Sequence, residues 1–249
     1  MKQKVAICMR GGVSKIKRHQ DMKNNLYSDD DYVNYKICYN SIIKHIINPN
    51  LDNYTFDIFC HCWHPDLQKD IINLYSPVKY EFEDNGKYTY EILNLCKNLF
   101  ADFSGISQAL TIKKSIELKE KYENENNIKY DIVILYRYDV FLWKDIILSN
   151  YEKIHDDYIY VSGDNDNDDL HFIMNNHNSY LFKYLYDSLK LGNHHEIHNW
   201  IKNYVINYIK KNIIPDYILA GIHQDVLRKI TEESIKDKKL TMEQLNSYI

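Results

Sequence analysis

The chain has 249 residues, of which 45% are hydrophobic and 14% aromatic, and its formal net charge is -4. This length and apolar content suffice for one folded globular domain with a sizeable core. The acidic balance argues against a nucleic-acid partner, because nucleic-acid-binding surfaces concentrate lysine and arginine. Only four of the 31 basic residues are arginine. An arginine in this chain therefore indicates a specific role, since lysine is the usual cation here and only arginine has a planar guanidinium fork.

No apolar run approaches the roughly 18 residues that cross a bilayer, and the first apolar stretch is too short for a secretory signal. We therefore expect a soluble, cytoplasmic protein. Five cysteines, an odd number, indicate buried free thiols in a reducing compartment. Cys60 and Cys62, with His61 and His64, could suggest zinc. Strand alternation instead sends Cys60 and Cys62 to one face and His61 to the other, which disfavours a shared metal site.

The first predicted strand is KVAICM, which ends at Arg10-Gly11-Gly12. Two glycines there allow backbone conformations and close approaches that other residues cannot make. A helix whose apolar residues recur every three or four positions is predicted next, and it ends before Pro49. The second predicted strand is FDIFCHCW, from Phe56 to Trp63, stopped by His64-Pro65.

A short helix from Leu67 to Leu74 and a strand from Val78 to Phe82 complete a second unit. Residues 88–122 are predicted helical with a break near Phe103-Ser104-Gly105, and the polar turn ENENN leads into the strand within Tyr130–Leu142. Strands and helices that alternate at this spacing predict an α/β fold, a mostly parallel central sheet flanked by helices.

The second half is less regular. It contains a predicted strand near Tyr158–Val161, an acidic run over Gly163–Asp169, the apolar segment LHFIM and a helix over Ser179–Leu189. A histidine-rich turn and a helix that Pro215 ends follow. Neither internal repeats nor a linker-like change in composition is present, so we predict one domain over residues 1–249.

The segment YDIVILYRYDVFL predicts a buried strand that ends in Arg137 and Asp139. An aspartate is costly to bury there unless it is paired or binds a metal. One interpretation is an ion pair between the two residues. The other is that Asp139 holds Mg²⁺ or Mn²⁺ on a diphosphate while Arg137 adds charge or orients the carboxylate. Ligands of parallel sheets bind beyond the carboxyl ends of the strands, which is where this pair lies.

The order of KVAICMRGG, FDIFCHCW, SQALTIKKSIELKEKYENENNIKYDIVILYRYDVFL and an acidic segment before LHFIMNN resembles a family of GT-A-type glycosyltransferases. These proteins are found in giant viruses, where they would act in the host cytoplasm, and in bacterial surface-polysaccharide clusters. They show R-G after the first strand, D-(V/I)-F-x-H-x-W in the second, a Ser-Gln-like helix start and R-x-D at a strand end. The resemblance covers residues 4–175.

The resemblance implies a single GT-A-like (Rossmann-like) domain, with a nucleotide-binding part over residues 1–145 and an acceptor part over residues 146–249. It implies transfer of a sugar from a nucleoside diphosphate sugar donor to a hydroxyl of a glycan or glycoconjugate acceptor. Two alternatives stay open. One is a nucleotide- or sugar-binding module of the same fold that has lost catalysis, and the other is a nucleotidyltransferase whose glycine-rich loop is GGVSKIKR.

The resemblance also implies that Arg137 to Asp139 fill the role of the metal-binding D-x-D motif, with arginine in place of the first aspartate. Asp139 is then a ligand of Mn²⁺ or Mg²⁺, and His198 or Glu196 from the histidine-rich turn completes the set, unless that turn is simply solvent-exposed. Asp168 or Asp169, before LHFIM, is implied as the general base near the acceptor.

Donor contacts are expected from the loop after the first strand, with Arg10 or Arg18 on phosphate. His61 lies near the end of the second strand and is expected to line the site, whereas Trp63 is expected in the core. The full predicted donor set is Met9, Arg10, Gly11, Gly12, Arg18, His61, Arg137, Tyr138 and Asp139.

Overall fold

A computed structural model of the chain describes residues 2–13, 35–99, 103–155, 157–162, 170–189, 197–216 and 224–226. The strands are β1 (Gln3–Arg10), β2 (Tyr54–Cys62), β3 (Lys79–Phe82), β4 (Ile132–Arg137), β5 (Val140–Leu142), β6 (Tyr158–Ser162), β7 (His171–Asn175), β8 (Asn212–Asp216) and β9 (Gln224–Val226). The α-helices are α1 (Tyr35–Ile42), α2 (Gln68–Tyr75), α3 (Thr89–Leu99), α4 (Phe103–Asn126), α5 (Asn176–Phe182), α6 (Leu185–Ser188) and α7 (Ile197–Asn203).

Seven strands form one central sheet in the order β3-β2-β1-β4-β7-β6-β8, and β5 pairs with β9 in a small antiparallel sheet. Strands β3, β2, β1 and β4 run parallel, β7 is antiparallel to both of its neighbours, and β8 is parallel to β6. The predicted α/β fold with a mostly parallel sheet is therefore confirmed. The division into a nucleotide-binding and an acceptor part stays a prediction.

The sheet is buried on both faces, which is why its strands are nearly continuous apolar runs. Along β1, Val5, Ile7 and Met9 pack with α1 and α2, whereas Ala6 and Cys8 pack on the opposite face with α4. The same alternation continues in the neighbouring strands. The sheet therefore has one face covered by α1 and α2 and one covered by α4. At the carboxyl ends of the strands, a pocket opens on the α4 side.

The five cysteines, all within the described residues, form no disulfide, and four of them are buried, as predicted. Cys60 and Cys62 lie together in the core on the α1 and α2 side, while His61 points to the α4 side. None of the described helices has the length and apolar character that a bilayer crossing requires.

Two stretches differ from the sequence-based expectation. The ENENN segment was predicted as a turn, but α4 continues to Asn126 and ends at Asn127, which has φ 51°. The helix extends because Glu123 is buried and forms an ion pair with Lys119, one turn earlier in the same helix. Residues 212–216 were not predicted as a strand, yet they form β8 at the edge of the sheet, where Pro215 costs less than in a central strand.

Glu123 forms a fully buried ion pair with Lys119, whose Nζ lies 3.2 Å from the Glu123 Oε2. The carboxylate also accepts hydrogen bonds from the backbone N–H of Tyr130 at 3.1 Å and from the side-chain amide of Asn176 at 2.9 Å. Lys119 in turn donates to the Asn176 side-chain oxygen. The pair lies within α4, and these hydrogen bonds tie it to the segment just before β4 and to α5.

Neutralising one partner of this pair leaves the buried charge of the other partner without its counter-charge. We expect Glu123→Gln to lower the free energy of unfolding by roughly 3 kcal/mol, measured by urea denaturation. The matched control is Glu125→Gln, whose carboxylate is half-exposed and pairs with Lys79, and it should change stability by less than about 1 kcal/mol. Equal losses in the two variants would contradict a special role for the buried pair.

Candidate functional site

A pocket of about 390 Å³ opens at the carboxyl ends of β1 and β4. Strand β1 has β2 on one side and β4 on the other, so the order of the strands reverses between β1 and β4. Open α/β sheets bind ligands in the crevice at such a switch point. The walls come from residues 10–13, from Arg137 and Asp139, from one face of α4, and from Trp63 and Asn85.

Two arginines project from adjacent strands into this pocket. Arg10 and Arg137 are register partners in the parallel pairing of β1 and β4, so their side chains leave the same face of the sheet. Arg10 is almost fully buried, and its guanidinium carbon lies 5.6 Å from the ring centre of Phe172. Among the described residues that line the pocket, Asp139 is the one carboxylate. The formal charge of these lining groups is therefore positive, which favours an anionic ligand.

The Arg137 guanidinium holds the Asp139 carboxylate in a bidentate contact. Nε of Arg137 donates to Oδ1 at 2.9 Å, and Nη2 donates to Oδ2 at 2.9 Å. Asp139 is 1% exposed, so the pair is shielded from water on the carboxylate side. The structure thus shows the ion pair that was one of the two interpretations of this strand end.

A chain of hydrogen bonds fixes the wall next to the arginines. The backbone N–H of Gly11 donates to Thr111 Oγ1 at 2.7 Å, Thr111 Oγ1 lies 2.8 Å from His61 Nδ1, and His61 Nε2 lies 3.2 Å from Glu83 Oε1. Burial lowers the pKa of His61, so the ring is neutral. We assign its proton to Nε2, facing the carboxylate, which leaves Nδ1 to accept the Thr111 hydroxyl.

The two glycines of the loop are required by its geometry. Gly11 has φ +95°, a left-handed conformation that disfavours other residues. A Cβ on Gly12 would lie 2.9 Å from Nε2 of His64. The Gly11 carbonyl also accepts a hydrogen bond from the backbone N–H of Trp63 at 3.2 Å, which attaches the loop to the residue after β2.

Glu83 anchors the far end of this hydrogen-bond chain. Burial alone would raise the pKa of Glu83, but hydrogen bonds from His61, Lys114, Lys87 and Tyr88 outweigh it and lower the pKa. His61, Glu81 and Glu83 form the one group of three potential metal ligands that the described part of the chain contains. Lys114 already lies 3.0 Å from Glu83 and 3.6 Å from Glu81, so this is an ion-pair network.

The pocket brings together five of the predicted donor contacts: Arg10, Gly11, Gly12, Arg137 and Asp139. His61 lies directly behind the wall and touches it through Thr111. Met9 and Tyr138 are fully buried and face the opposite side of the sheet, so they do not line the pocket.

Other predicted site residues fall outside what is described. Arg18, Asp168, Asp169 and Glu196 lie outside the described residues, and so does the side chain of His198, although its backbone lies in α7. Their roles stay predictions.

Sequence analysis missed the polar face of α4 that lines the pocket. Ser104, Ser107, Gln108 and Thr111 all contribute to the wall. Their spacing of i, i+3, i+4 and i+7 marks one helix face and could have identified them. Trp63, expected in the core, is only 8% exposed yet also lines the pocket, in edge contact with His61 at 4.4 Å between ring centres.

The described lining of the pocket does not supply a ligand set for the expected Mn²⁺ or Mg²⁺ at Asp139. Both oxygens of Asp139 accept hydrogen bonds from Arg137, and no second carboxylate lines the described part of the pocket. Divalent cations of this kind need several oxygen ligands and are disfavoured beside a guanidinium.

No protein-family model matches the chain, and no curated protein sequence does. Solved structures that it resembles include one described as a nucleotide-diphospho-sugar transferase of Desulfovibrio desulfuricans G20, with 10% identity, a TM-score of 0.45, and coverage of 86% of this chain and 80% of that one. Mouse xyloside xylosyltransferase 1 has 9% identity, a TM-score of 0.42 and coverage of 85% and 84%.

A nucleoside-diphosphate-sugar pyrophosphorylase of Vibrio cholerae RC9 has 12% identity, a TM-score of 0.43, and coverage of 94% of this chain and 98% of that one. Likenesses at this level carry no weight for activity. The function must be inferred from the residues of the pocket.

Removal of the Thr111 hydroxyl tests whether the hydrogen bonds from Gly11 to Thr111 and from Thr111 to His61 stabilise the pocket wall. We expect Thr111→Val to lower the free energy of unfolding by about 1–3 kcal/mol, because the Gly11 N–H and the His61 Nδ1 lose their shared partner. Thr55→Val is the control, since the Thr55 hydroxyl is exposed and makes one long contact of 3.5 Å. A Thr111→Val protein as stable as Thr55→Val would show that the chain of hydrogen bonds is not formed.

The protonation state of His61 can be observed directly. Because burial lowers its pKa, the unfolded chain takes up a proton near pH 6.5 that the folded chain does not, so this residue lowers stability as the pH falls through that value. We expect ¹⁵N NMR of the imidazole to show a neutral ring with its proton on Nε2 at about pH 6. Protons on both nitrogens at that pH would contradict the assignment.

Proposed function

We propose that the chain is a glycosyltransferase that moves a sugar from a nucleoside diphosphate sugar to a hydroxyl of a glycan or glycoconjugate. The observation that carries this proposal is the pair of register-matched arginines, Arg10 and Arg137, at the switch point of the sheet. Guanidinium forks match the geometry of phosphate oxygens and stay charged at any physiological pH. A diphosphate, with its adjacent anionic groups, suits two such forks side by side.

The remaining walls suit the other parts of such a donor. Trp63 and Phe103 offer aromatic surface for a base, while Ser104, Ser107 and Gln108 offer hydroxyl and amide groups for sugar hydroxyls. A volume of about 390 Å³ lies within the range of roughly 300–1,000 Å³ for small-molecule sites. The pocket thus offers cations for phosphate, aromatic rings for a base, and hydroxyl and amide groups for a sugar.

During transfer, the acceptor oxygen forms a bond to the anomeric carbon, the bond between that carbon and the diphosphate oxygen breaks, and negative charge develops on the leaving diphosphate. Fixed positive groups aimed at that charge lower the barrier. Arg10 and Arg137 would have this role, and Asp139 would hold the Arg137 fork in place. The acceptor hydroxyl gives its proton to a general base, for which Asp168 or Asp169 is the predicted residue.

A second candidate is a nucleotide-binding module without catalysis. It is favoured by the engagement of Asp139 with Arg137, because the described lining then contains no carboxylate available as a base. The two candidates share the anion site and differ in turnover. A nucleotidyltransferase would differ from both by releasing pyrophosphate from a nucleoside triphosphate.

Ligand binding tests the shared part of the proposal. In a thermal-shift and calorimetry screen of nucleoside diphosphates, we expect at least one to raise the Tm of the protein. Arg137→Gln should weaken that binding by about tenfold or more, while Gln68→Ala, exposed on α2 outside the pocket, should leave it unchanged. Absence of any nucleoside diphosphate binding would refute the proposal.

Turnover then separates the candidates. We expect the protein to release the nucleoside diphosphate from one nucleotide sugar, and Asp168→Asn or Asp169→Asn to lower kcat by about 100-fold or more. Binding of donors without turnover of any of them would identify the binding module. Pyrophosphate release from a triphosphate would identify the nucleotidyltransferase.

A further inference from the structure

We infer that this pocket holds the diphosphate of its donor on guanidinium groups, with Arg137 standing where a divalent cation would otherwise bind at Asp139. The inference rests on the proposed function and specifies how its site recognises the ligand. It replaces the sequence-based expectation of Mn²⁺ or Mg²⁺ at Asp139.

The first support is the geometry of the acid group. A metal bound by Asp139 would need carboxylate oxygens that now face Nε and Nη2 of Arg137, each at 2.9 Å. The Asp139 side chain is 2% exposed and that of Arg137 is 17% exposed, so the arginine is the partner on the accessible side. A cation reaching the carboxylate from the pocket would have to displace or approach this guanidinium, and like charges repel strongly where water is excluded.

The second support is the balance of charge. Arg10, Arg137 and Asp139 together have one formal positive charge, and both cations sit on a rigid sheet. Two carboxylates at this strand end would be negative and would need a divalent ion before an anion could bind. With arginine at position 137 these three residues together have the sign that a diphosphate requires before any ion binds.

The third support is the burial of Arg10. It is 1% exposed, close to the Phe172 ring, and lines the pocket next to Arg137. A buried cation is retained at a cost, and its charge acts strongly on a ligand because little water screens it. The site therefore has a second permanent cation directly beside the first.

The inference makes a prediction that needs no substitution. In calorimetry with the nucleoside diphosphate that stabilises the protein best, Kd in excess EDTA should lie within about threefold of Kd with Mn²⁺ or Mg²⁺. Binding that appears only when a divalent ion is present would overturn the inference but would leave the proposed function standing. Absence of binding under both conditions would instead count against the proposed function itself.

A charge exchange at position 137 gives the complementary test. Arg137→Asp places a second carboxylate two residues before Asp139, so nucleoside diphosphate binding in EDTA should fall by about tenfold or more, and Mn²⁺ should restore it. Arg137→Lys keeps one charge without the fork and should bind with intermediate affinity whether or not a metal is present. Binding by Arg137→Asp in EDTA equal to that of the wild type would overturn the inference, and circular dichroism confirms that each variant is folded.

Discussion

The pocket depends on one interaction, the bidentate pair of Arg137 and Asp139 at the end of β4. This strand is buried on both faces, so neither charge could be left there alone. The fork of the guanidinium satisfies both carboxylate oxygens, and in return the carboxylate fixes the direction of the guanidinium. The same two side chains thus satisfy the strand end as a formally neutral pair, and the net positive charge of the three residues comes from Arg10.

A second set of contacts gives the opposite wall its rigidity. The loop after β1 is attached to α4 through Thr111, and Thr111 is attached to β2 and to the end of β3 through His61 and Glu83. Because each hydrogen bond in this chain has one donor and one acceptor, rotation of one group would leave its neighbours unsatisfied. Four elements are therefore held in one arrangement around the arginines.

Much of this arrangement was predictable, and the parts that were not have physical reasons. Continuous apolar runs and their turn signals identified β1, β2 and β4, and Arg10 and Arg137 were both predicted donor contacts. That the two arginines are register partners follows from the strand order, which was not predicted. Met9 was expected in the site although period-two alternation places it opposite Arg10. The polar face of α4 was missed because its apolar residues alone were used to find the helix. Residues 123–126 continue α4 because Glu123 accepts hydrogen bonds from Tyr130 and Asn176, which lie outside the helix and which local sequence does not reveal.

The presence of arginine in the pocket follows from the exclusion of water there, since Arg10 is almost fully buried. Lysine is by far the commoner cation in this chain, since only four of the 31 basic residues are arginine, yet both register positions at the switch point are arginine. A lysine buried as deeply as Arg10 could lose its proton, because burial lowers the pKa of an ammonium group. A guanidinium keeps its charge, tolerates weaker hydration and packs against an aromatic ring such as Phe172. A guanidinium at these two positions therefore keeps its charge under burial that would lower the pKa of an ammonium group.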